Sequence, residues 1–344
     1  MPYSFYITCS VPSEQKGGIQ HLSLNEGRVT SHKRTPCEAP GYLAMNSTRT
    51  RAYAACAWQG NGGPAAFRVL PDGILEPLNQ QWEAHGALCH LTVLPGDRLL
   101  AAANYHAGRI EVFPLDENGA IGSRLQLIQH TGHGPNAARQ ESAHVHFVQV
   151  TPDKHFLLAI DLGLDSVFCY PILPEGLDAN AAIRSPIAPA GTGPRHLVFA
   201  ADGHHAWLLN ELFSTVTTLD YANGQFTQRQ TCPMVPPAFT GSTKAAAIRL
   251  SPDGRFLYAS NRGYDTIVFY RVQEDFTLKE FGSFFTGAAF LRDFNFIGDS
   301  WTLAVAGETS NNVFFFDVNP ETGFPRPNGQ VITDLPQPIN VFCG

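Results

Sequence analysis

Eight residues between positions 144 and 292 carry side chains that could bind a ligand and move protons. They are His144 and His146 in "AHVHF", Arg195 and His196 in "GPRHL", Glu211 in "NEL", Lys244 in "STKA", Arg262 in "SNRG" and Arg292 in "LRDF". A guanidinium offers a planar fork of donors that fits a phosphate or carboxylate, and an ammonium adds a point charge. Histidine and glutamate are the acid–base members of the set, and a partly dry site can bring either towards neutral pKa. Held together, these groups would grip a small anion and transfer protons beside it. Whether they meet depends on the elements that carry them.

Those elements repeat. From Pro252 in the turn "SPDG", a step of nine residues leads to Asn261. The same step joins Pro95 to Asn104, Pro152 to Asp161, Ala201 to Asn210, Gly298 to Gly307 and, less clearly, Ser47 to Cys56. These end points recur 46 to 57 residues apart, so six units are visible, and "FYITC" at Phe5–Cys9 stands where a seventh would fall. Each unit is written in short β-branched or aromatic runs such as "FLYAS", "TIVFY" and "NVFFF", bounded by Gly, Pro, Asp and Asn. No amphipathic helix of any length interrupts them. Units of this size built from about four short antiparallel strands predict an all-β chain, a seven-bladed β-propeller of four-stranded blades. Residues 1–344 then form one domain, with the strand near Tyr3–Cys9 and the last strand near Ile339–Phe342 closing the ring and removing a free edge.

The repeat also predicts where the eight residues go. Strands flanking an SPDG-type turn run antiparallel, so the start of the first and the end of the second meet opposite the turn. Six residues before the turn marker stand Cys89, His146, Arg195, Ala246 and Arg292, and eight before it stand His144 and Lys244. Nine and ten after it come Asn104–Tyr105, Asp161–Leu162, Asn210–Glu211, Asn261–Arg262 and Gly307–Glu308. In a closed ring these ends form one mouth, a cationic funnel suited to an anionic small molecule. The alternative use of such charges is inter-blade ion pairing.

Bulk composition narrows the partners. The chain has 344 residues, a formal charge of −7, 15% charged and 44% apolar residues. The mild acidic excess, without clustered Lys or Arg, argues against nucleic acid. No window approaches the uninterrupted apolar length of a membrane span, and the N-terminus reads as no signal peptide. Seven cysteines lie far apart with no C-x-x-C, as buried thiols of a cytoplasmic protein would. A ring without free edges can live as a monomer or a weak homo-oligomer.

At this level the residues resemble a known family. "HLTVLPGDRLLAAANYHAGRIEVF", "HTGHGPNAARQESAHVHFVQVTPD", "GTGPRHLVF", "LLNELFSTV" and "SPDGRFLYASNRGYDTIVFY" are similar, in order and at blade spacing, to the seven-bladed propeller lactonases. These include bacterial 6-phosphogluconolactonase and fungal 3-carboxy-cis,cis-muconate lactonising enzyme. The resemblance implies hydrolysis of a small anionic lactone, most directly 6-phosphogluconolactone in the pentose phosphate pathway, without a cofactor. It implies that His146, or His144 in its place, Arg195, Glu211 and Arg262 are catalytic; beside them His144, His196, Lys244 and Arg292 are expected to bind substrate, with Arg262 sharing the grip on the anion. Glu211 or His146 would be the general base and Arg195 the oxyanion donor. The chain departs from the family pattern at "LRDF" (Leu291–Phe294) and "GETS" (Gly307–Ser310), and "ACAWQGNGG" lacks an Asn-Glu ending.

Other chemistries have less support. There is no G-x-S-x-G elbow for a serine hydrolase. His144-x-His146 could serve a metal but lacks further ligands in a known spacing, and Asp161, Asp165 and Asn210 keep a calcium site open; no metal is expected. The alternatives are a muconate-type lactonising cycloisomerase and a binding scaffold, although none of the four tryptophans forms the WD dipeptide of common scaffolds.

Overall fold

The computed structural model describes residues 3–343 and consists of strands with one short 3-10 turn at Ser13–Gln15. The strands form seven antiparallel sheets. Blade 1 pairs Arg28–Pro36, Gly18–Asn25 and Tyr3–Cys9 with the last strand, Pro338–Phe342. Blade 2 contains Pro40–Met45, Arg51–Trp58, Asn61–Val69 and Leu75–Gln80, and blade 3 contains His90–Val93, Leu99–Asn104, Arg109–Pro114 and Gln126–Gln129. Blade 4 is built on Val145–Val150, Phe156–Asp161 and Ser166–Leu173, the last pairing with both Gly176–Leu177 and Ile183–Pro186. Blade 5 contains Pro194–Phe199, His205–Asn210, Thr215–Ala222 and Gln225–Pro233. Blade 6 contains Lys244–Leu250, Phe256–Arg262, Thr266–Val272 and Leu278–Phe285, and blade 7 Leu291–Phe296, Thr302–Gly307, Asn312–Val318 and Pro325–Ile332. The fold is a seven-bladed β-propeller. The expected joining of the chain ends is present in blade 1, where Tyr6 faces Phe342 and Ile7 faces Val341.

Close packing divides the chain into two compact units, residues 1–37, 196–219 and 228–344 in one and residues 38–195 and 220–227 in the other. Blades 1, 6 and 7 lie in the first unit, and blades 2, 3 and 4 in the second. Within each, the blades bury apolar side chains against their neighbours. Blades 6 and 7 share Phe256, Tyr258, Phe294, Leu303 and Val305, while blades 3 and 4 share Ala101, Val112, Val148, Leu157 and Ala159. This explains why second strands lose the usual alternation. Every residue of Phe256–Arg262 is buried, because both faces are covered, whereas the fourth strand Gln225–Pro233 buries and exposes by turns.

At one end of each hairpin stands the turn that the sequence repeats. In "TPDKH", Thr151 Oγ1 donates to Asp153 Oδ1 (2.6 Å), which also accepts from the His155 backbone N–H (3.0 Å). In "SPDGR", Ser251 Oγ and the Arg255 N–H bond Asp253 Oδ1 in the same way (2.8 and 3.1 Å). This is an Asx-type turn, in which a short side chain substitutes for backbone. Its next residue is left-handed: Gly254 at φ 72° and Lys154 at φ 61°. Glycine takes that conformation without strain.

The other end carries a regularity the sequence does not display. In blade 4, Val145 faces Asp161 and Phe147 faces Ile160, so His146 is an extra residue. In blade 7, Leu291 faces Gly307 and Asp293 faces Ala306, so Arg292 is extra. Blades 2 and 6 gain one residue at Gly41–Tyr42 and Ala246–Ala247. These are β-bulges at equivalent places, which bend the first strand and re-aim one side chain off the alternation of the sheet.

Candidate active site

The bulge ends of blades 5, 6 and 7 assemble a charged cluster within the first unit. Arg262, the last residue of its strand, donates from Nη2 to Glu211 Oε2 (2.8 Å) and to the Ala245 carbonyl (2.9 Å). The Ala245 N–H in turn bonds the Glu211 carbonyl (3.2 Å), so the backbone of one residue holds both members of the pair. Both side chains are buried, at 5% and 3% exposure, so the ion pair stands in a low-dielectric setting where its geometry is strongly enforced. The guanidinium carbon lies 5.5 Å from the centroid of the Phe290 ring, a cation–π contact. Lys244 faces Arg262 across the hairpin. Arg292, on its bulge, reaches Glu308 at 4.0 Å and is partly exposed.

The bulge ends of blades 3 and 4 build a histidine cluster in the second unit. His144 stacks on Tyr105, with centroids 4.4 Å apart and planes 10° from parallel, and His146 meets Tyr105 edge-on at 5.5 Å. Each nitrogen of His144 faces an acceptor: Nδ1 the Tyr105 carbonyl (3.0 Å), Nε2 Glu141 Oε1 (3.1 Å). Hydrogen bonding to its own backbone, then to His144, holds the Glu141 carboxyl below the ordinary carboxylate value. His144 is therefore engaged by the protein on both edges. The bulge takes His146 off the strand's alternation, so His144 and His146 do not form the regular same-face pair that their spacing predicts. Arg195 and His196 are buried at the start of blade 5.

A second layer positions the histidines. Asp161 accepts the His144 and Leu164 backbone N–H groups on Oδ1 (2.8 and 3.0 Å) and His130 Nδ1 on Oδ2 (2.7 Å). With Nδ1–H spent on Asp161, His130 Nε2 accepts from the Tyr170 hydroxyl (2.7 Å). Burial, then the charge of Asp161, pushes the Tyr170 phenol far above its usual value, so it remains a donor. Nothing in the sequence linked His130 to this set. Tyr105 stands at this end by the repeat spacing, yet neither it nor Phe290 has a role legible in the sequence, because an aromatic ring beside a histidine or arginine reads as core until its partner is known.

The residues nine after each turn marker are clamps. Asn104 bonds the His85 carbonyl (2.9 Å), and Asn261 bonds Thr243 and the Met234 carbonyl (3.1 and 3.2 Å). Asp165 accepts from the Gly191 and Gly193 N–H groups (2.7 and 2.8 Å), and Asn210 Nδ2 donates to Thr215 and Thr217 (both 2.9 Å). Asp161, Asp165 and Asn210, the set that kept calcium open, are thus engaged in protein hydrogen bonds. Among the described residues, no three His, Cys, Asp or Glu side chains are grouped to hold a metal ion.

A cavity of about 610 Å³ lies at the opposite, turn end of blades 2 and 3, lined in part by Asn46, Thr50, Arg51, Tyr53, Asp97 and Asp116. Its polar groups bond one another: Ser47 donates to Asp97, Arg51 to the Asn118 carbonyl and Tyr53 to the Gly119 carbonyl. That network belongs to the turns.

Residues 4–342 match the family described as Lactonase, 7-bladed beta-propeller. The chain belongs to this family. Within or near it, a 6-phosphogluconolactonase of Bacillus subtilis is 34% identical over 290 residues, covering 83% of this chain and 81% of that one. A solved Lactobacillus plantarum protein superposes with a TM-score of 0.91 at 30% identity, over 99% of both chains. The periplasmic gluconolactonase of Pseudomonas aeruginosa superposes with a TM-score of 0.89 at 27% identity, over 98% of both. Lactonase membership turns the buried carboxylate–guanidinium pair from a packing feature into a candidate for ester chemistry.

Proposed function

We propose that the chain hydrolyses small sugar lactones carrying an anionic group, with 6-phosphogluconolactone as substrate and 6-phosphogluconate as product in the pentose phosphate pathway. The observation that carries this reading is the buried Glu211–Arg262 pair, in which one guanidinium nitrogen holds the carboxylate while the Ala245 backbone bonds both residues. Glu211 takes a proton from water as the water oxygen bonds to the lactone carbonyl carbon. The carbonyl electron pair moves onto oxygen, where Arg195 is the proposed donor to the oxyanion. Collapse of the intermediate breaks the ring C–O bond, and the leaving alkoxide recovers a proton. His146 is the second candidate for the proton-transfer group. The anionic substituent is assigned to the partly exposed Lys244 and Arg292, with His144 and His196 as further binding residues.

The name of the Bacillus subtilis relative supports the phosphorylated substrate. A cytoplasmic location is part of this reading, since the seven cysteines are free thiols, as suits a reducing compartment. The test is pH-corrected hydrolysis of 6-phosphogluconolactone against unphosphorylated gluconolactone, with and without chelator. A phosphate preference that survives chelator is expected, and Glu211→Gln and His146→Ala should each lower turnover at least about a hundredfold at temperatures where the fold is intact, His146→Ala with normal melting and Glu211→Gln with lowered melting because Arg262 is left buried without its carboxylate. Equal rates on the two lactones would remove the phosphate from the reading. No hydrolysis of either would remove the activity.

A further inference from the structure

The turn that follows each second strand contains a left-handed residue at a fixed place, 13 positions after the turn marker. Gly60, Gly108, Asp165, Ser214, Asp265 and Asn311 have φ of 76°, 60°, 47°, 48°, 50° and 55°. Where this residue has a polar side chain, it reaches forward to the segment leading into the next blade. Asp165 takes the Gly191 and Gly193 N–H groups, Ser214 bonds Thr243 (3.3 Å), and Asn311 takes the Gln337 N–H (2.9 Å).

At Asp265 this latch meets the charged cluster. Its Oδ1 accepts from the Gly263 N–H (3.1 Å) and the Phe290 N–H (2.9 Å). Gly263 follows Arg262 directly, and Phe290 stands two residues before Arg292. One carboxylate oxygen therefore joins the two backbone segments that carry the arginines. Gly263 has φ 91°, and a Cβ there would lie 2.4 Å from the Ser242 carbonyl oxygen, so the close approach requires glycine. Phe290 is itself left-handed at φ 57°. For a bulky side chain this is a strained conformation, and it persists where the surroundings over-determine it. Two hydrogen bonds do so here: the Asp265 contact to its N–H and the Glu308 N–H to its carbonyl (3.3 Å). The result is the Phe290 ring lying over the guanidinium that holds Glu211.

We propose that Asp265 and Phe290 are positioning residues, a strained latch that sets the orientation of the Arg262–Glu211 pair. Asp265 fixes the backbone on both sides, and Phe290 covers one face of the guanidinium so that its fork edge stays on Glu211. The role in turnover rests on the lactonase reading; the effect on Arg262 does not.

Two variants separate acceptor from backbone. Asp265→Gly keeps the left-handed turn at no strain but removes the acceptor, while Asp265→Asn keeps a side-chain oxygen for both N–H groups. Lactone hydrolysis by Asp265→Gly should fall about ten- to a hundredfold, mainly in kcat, as expected for misplacement of a catalytic group, with Asp265→Asn within about twofold of wild type. Phe290→Leu should resemble Asp265→Gly. In parallel, the Arg262 Nε–H resonance, assigned with Arg262→Lys, should move in Asp265→Gly and Phe290→Leu as the ring-current contribution changes, and stay in Asp265→Asn. Wild-type kinetics together with an unmoved resonance in Asp265→Gly would overturn the proposal. A moved resonance in a protein that hydrolyses no lactone would leave the latch standing and refute the activity.

Discussion

The two ends of a blade hairpin are made of similar polar residues yet differ in what those residues bond. At the turn end, Asp253 bonds Ser251 and Arg255, and Asp153 bonds Thr151 and His155 in the same way with one longer link from the Tyr221 hydroxyl (2.9 Å), so the network is mostly local. At the bulge end, Asp161, Glu211 and Asp265 reach partners 17 to 51 positions away, Asp161 and Asp265 beside one local bond each, and most of these groups are buried. A local network stabilises one turn and can be lost piecemeal. A long-range buried network fixes several strands against one another, and its loss leaves charges without solvent. Chemistry needs the second kind, because side chains must stand rigidly in a desolvated place.

The contrast can be broken most severely at Asp161. Asp161→Ala leaves His130 buried without its carboxylate and frees the His144 N–H, so a loss of about 3–5 kcal/mol is expected by denaturant unfolding. A loss no larger than that of a turn-end aspartate would erase the distinction between the two ends. Next comes Tyr105→Ala, which removes the ring shared by His144 and His146; each aromatic contact is worth about 0.5–1.5 kcal/mol. Turnover should fall about tenfold, more than melting alone explains. A turnover matching wild type would take Tyr105 out of the site.

At the turn end, Asp253→Ala should cost about 1 kcal/mol and lower the melting temperature by a few degrees, with kcat unchanged. A large change in kcat would mean that the ends are coupled. The smallest effect is in acid. Partial burial pushes the Asp153, Asp202 and Asp253 carboxyls upward, but their hydroxyl, backbone and side-chain donors outweigh it and leave each below the ordinary 3.8. A carboxyl depressed in the folded state contributes stability above its unfolded value and loses it as pH falls through the folded one. Melting temperature should therefore be steady above about pH 4 and decline below it, with a shallower decline in Asp253→Ala. An unchanged slope would show that these turns are not the acid-sensitive elements.

Much of the architecture was readable without coordinates. Pro152-Asp153 and Pro252-Asp253 announce turns through local chemistry, and the nine-residue step follows from strand length, so blade number and the hairpin end at which each residue stands within its own blade could be inferred. The site was readable as residue types at that end, not as partners. Glu211 and Arg262 are 51 positions apart, and their pairing depends on the Ala245 peptide that sits between them. His130 joined the histidine cluster through Asp161 and Tyr170, two contacts that no spacing rule predicts. The bulges at His146 and Arg292 were invisible for a related reason. An extra residue in a strand is defined by its partner strand, and the run "HVHFVQV" reads the same with or without one.

Sequence alone therefore determined the repeating turns, the β character, the propeller class and the family, because each is encoded in neighbours a few residues apart or in the recurrence of such local patterns. Tertiary structure decided which polar residues became latches, which became a buried ion pair and which side chains left the alternation of their strand. Those outcomes depend on hydrogen-bond donors and acceptors contributed by other blades, and a chain carries no record of them until its sheets have packed.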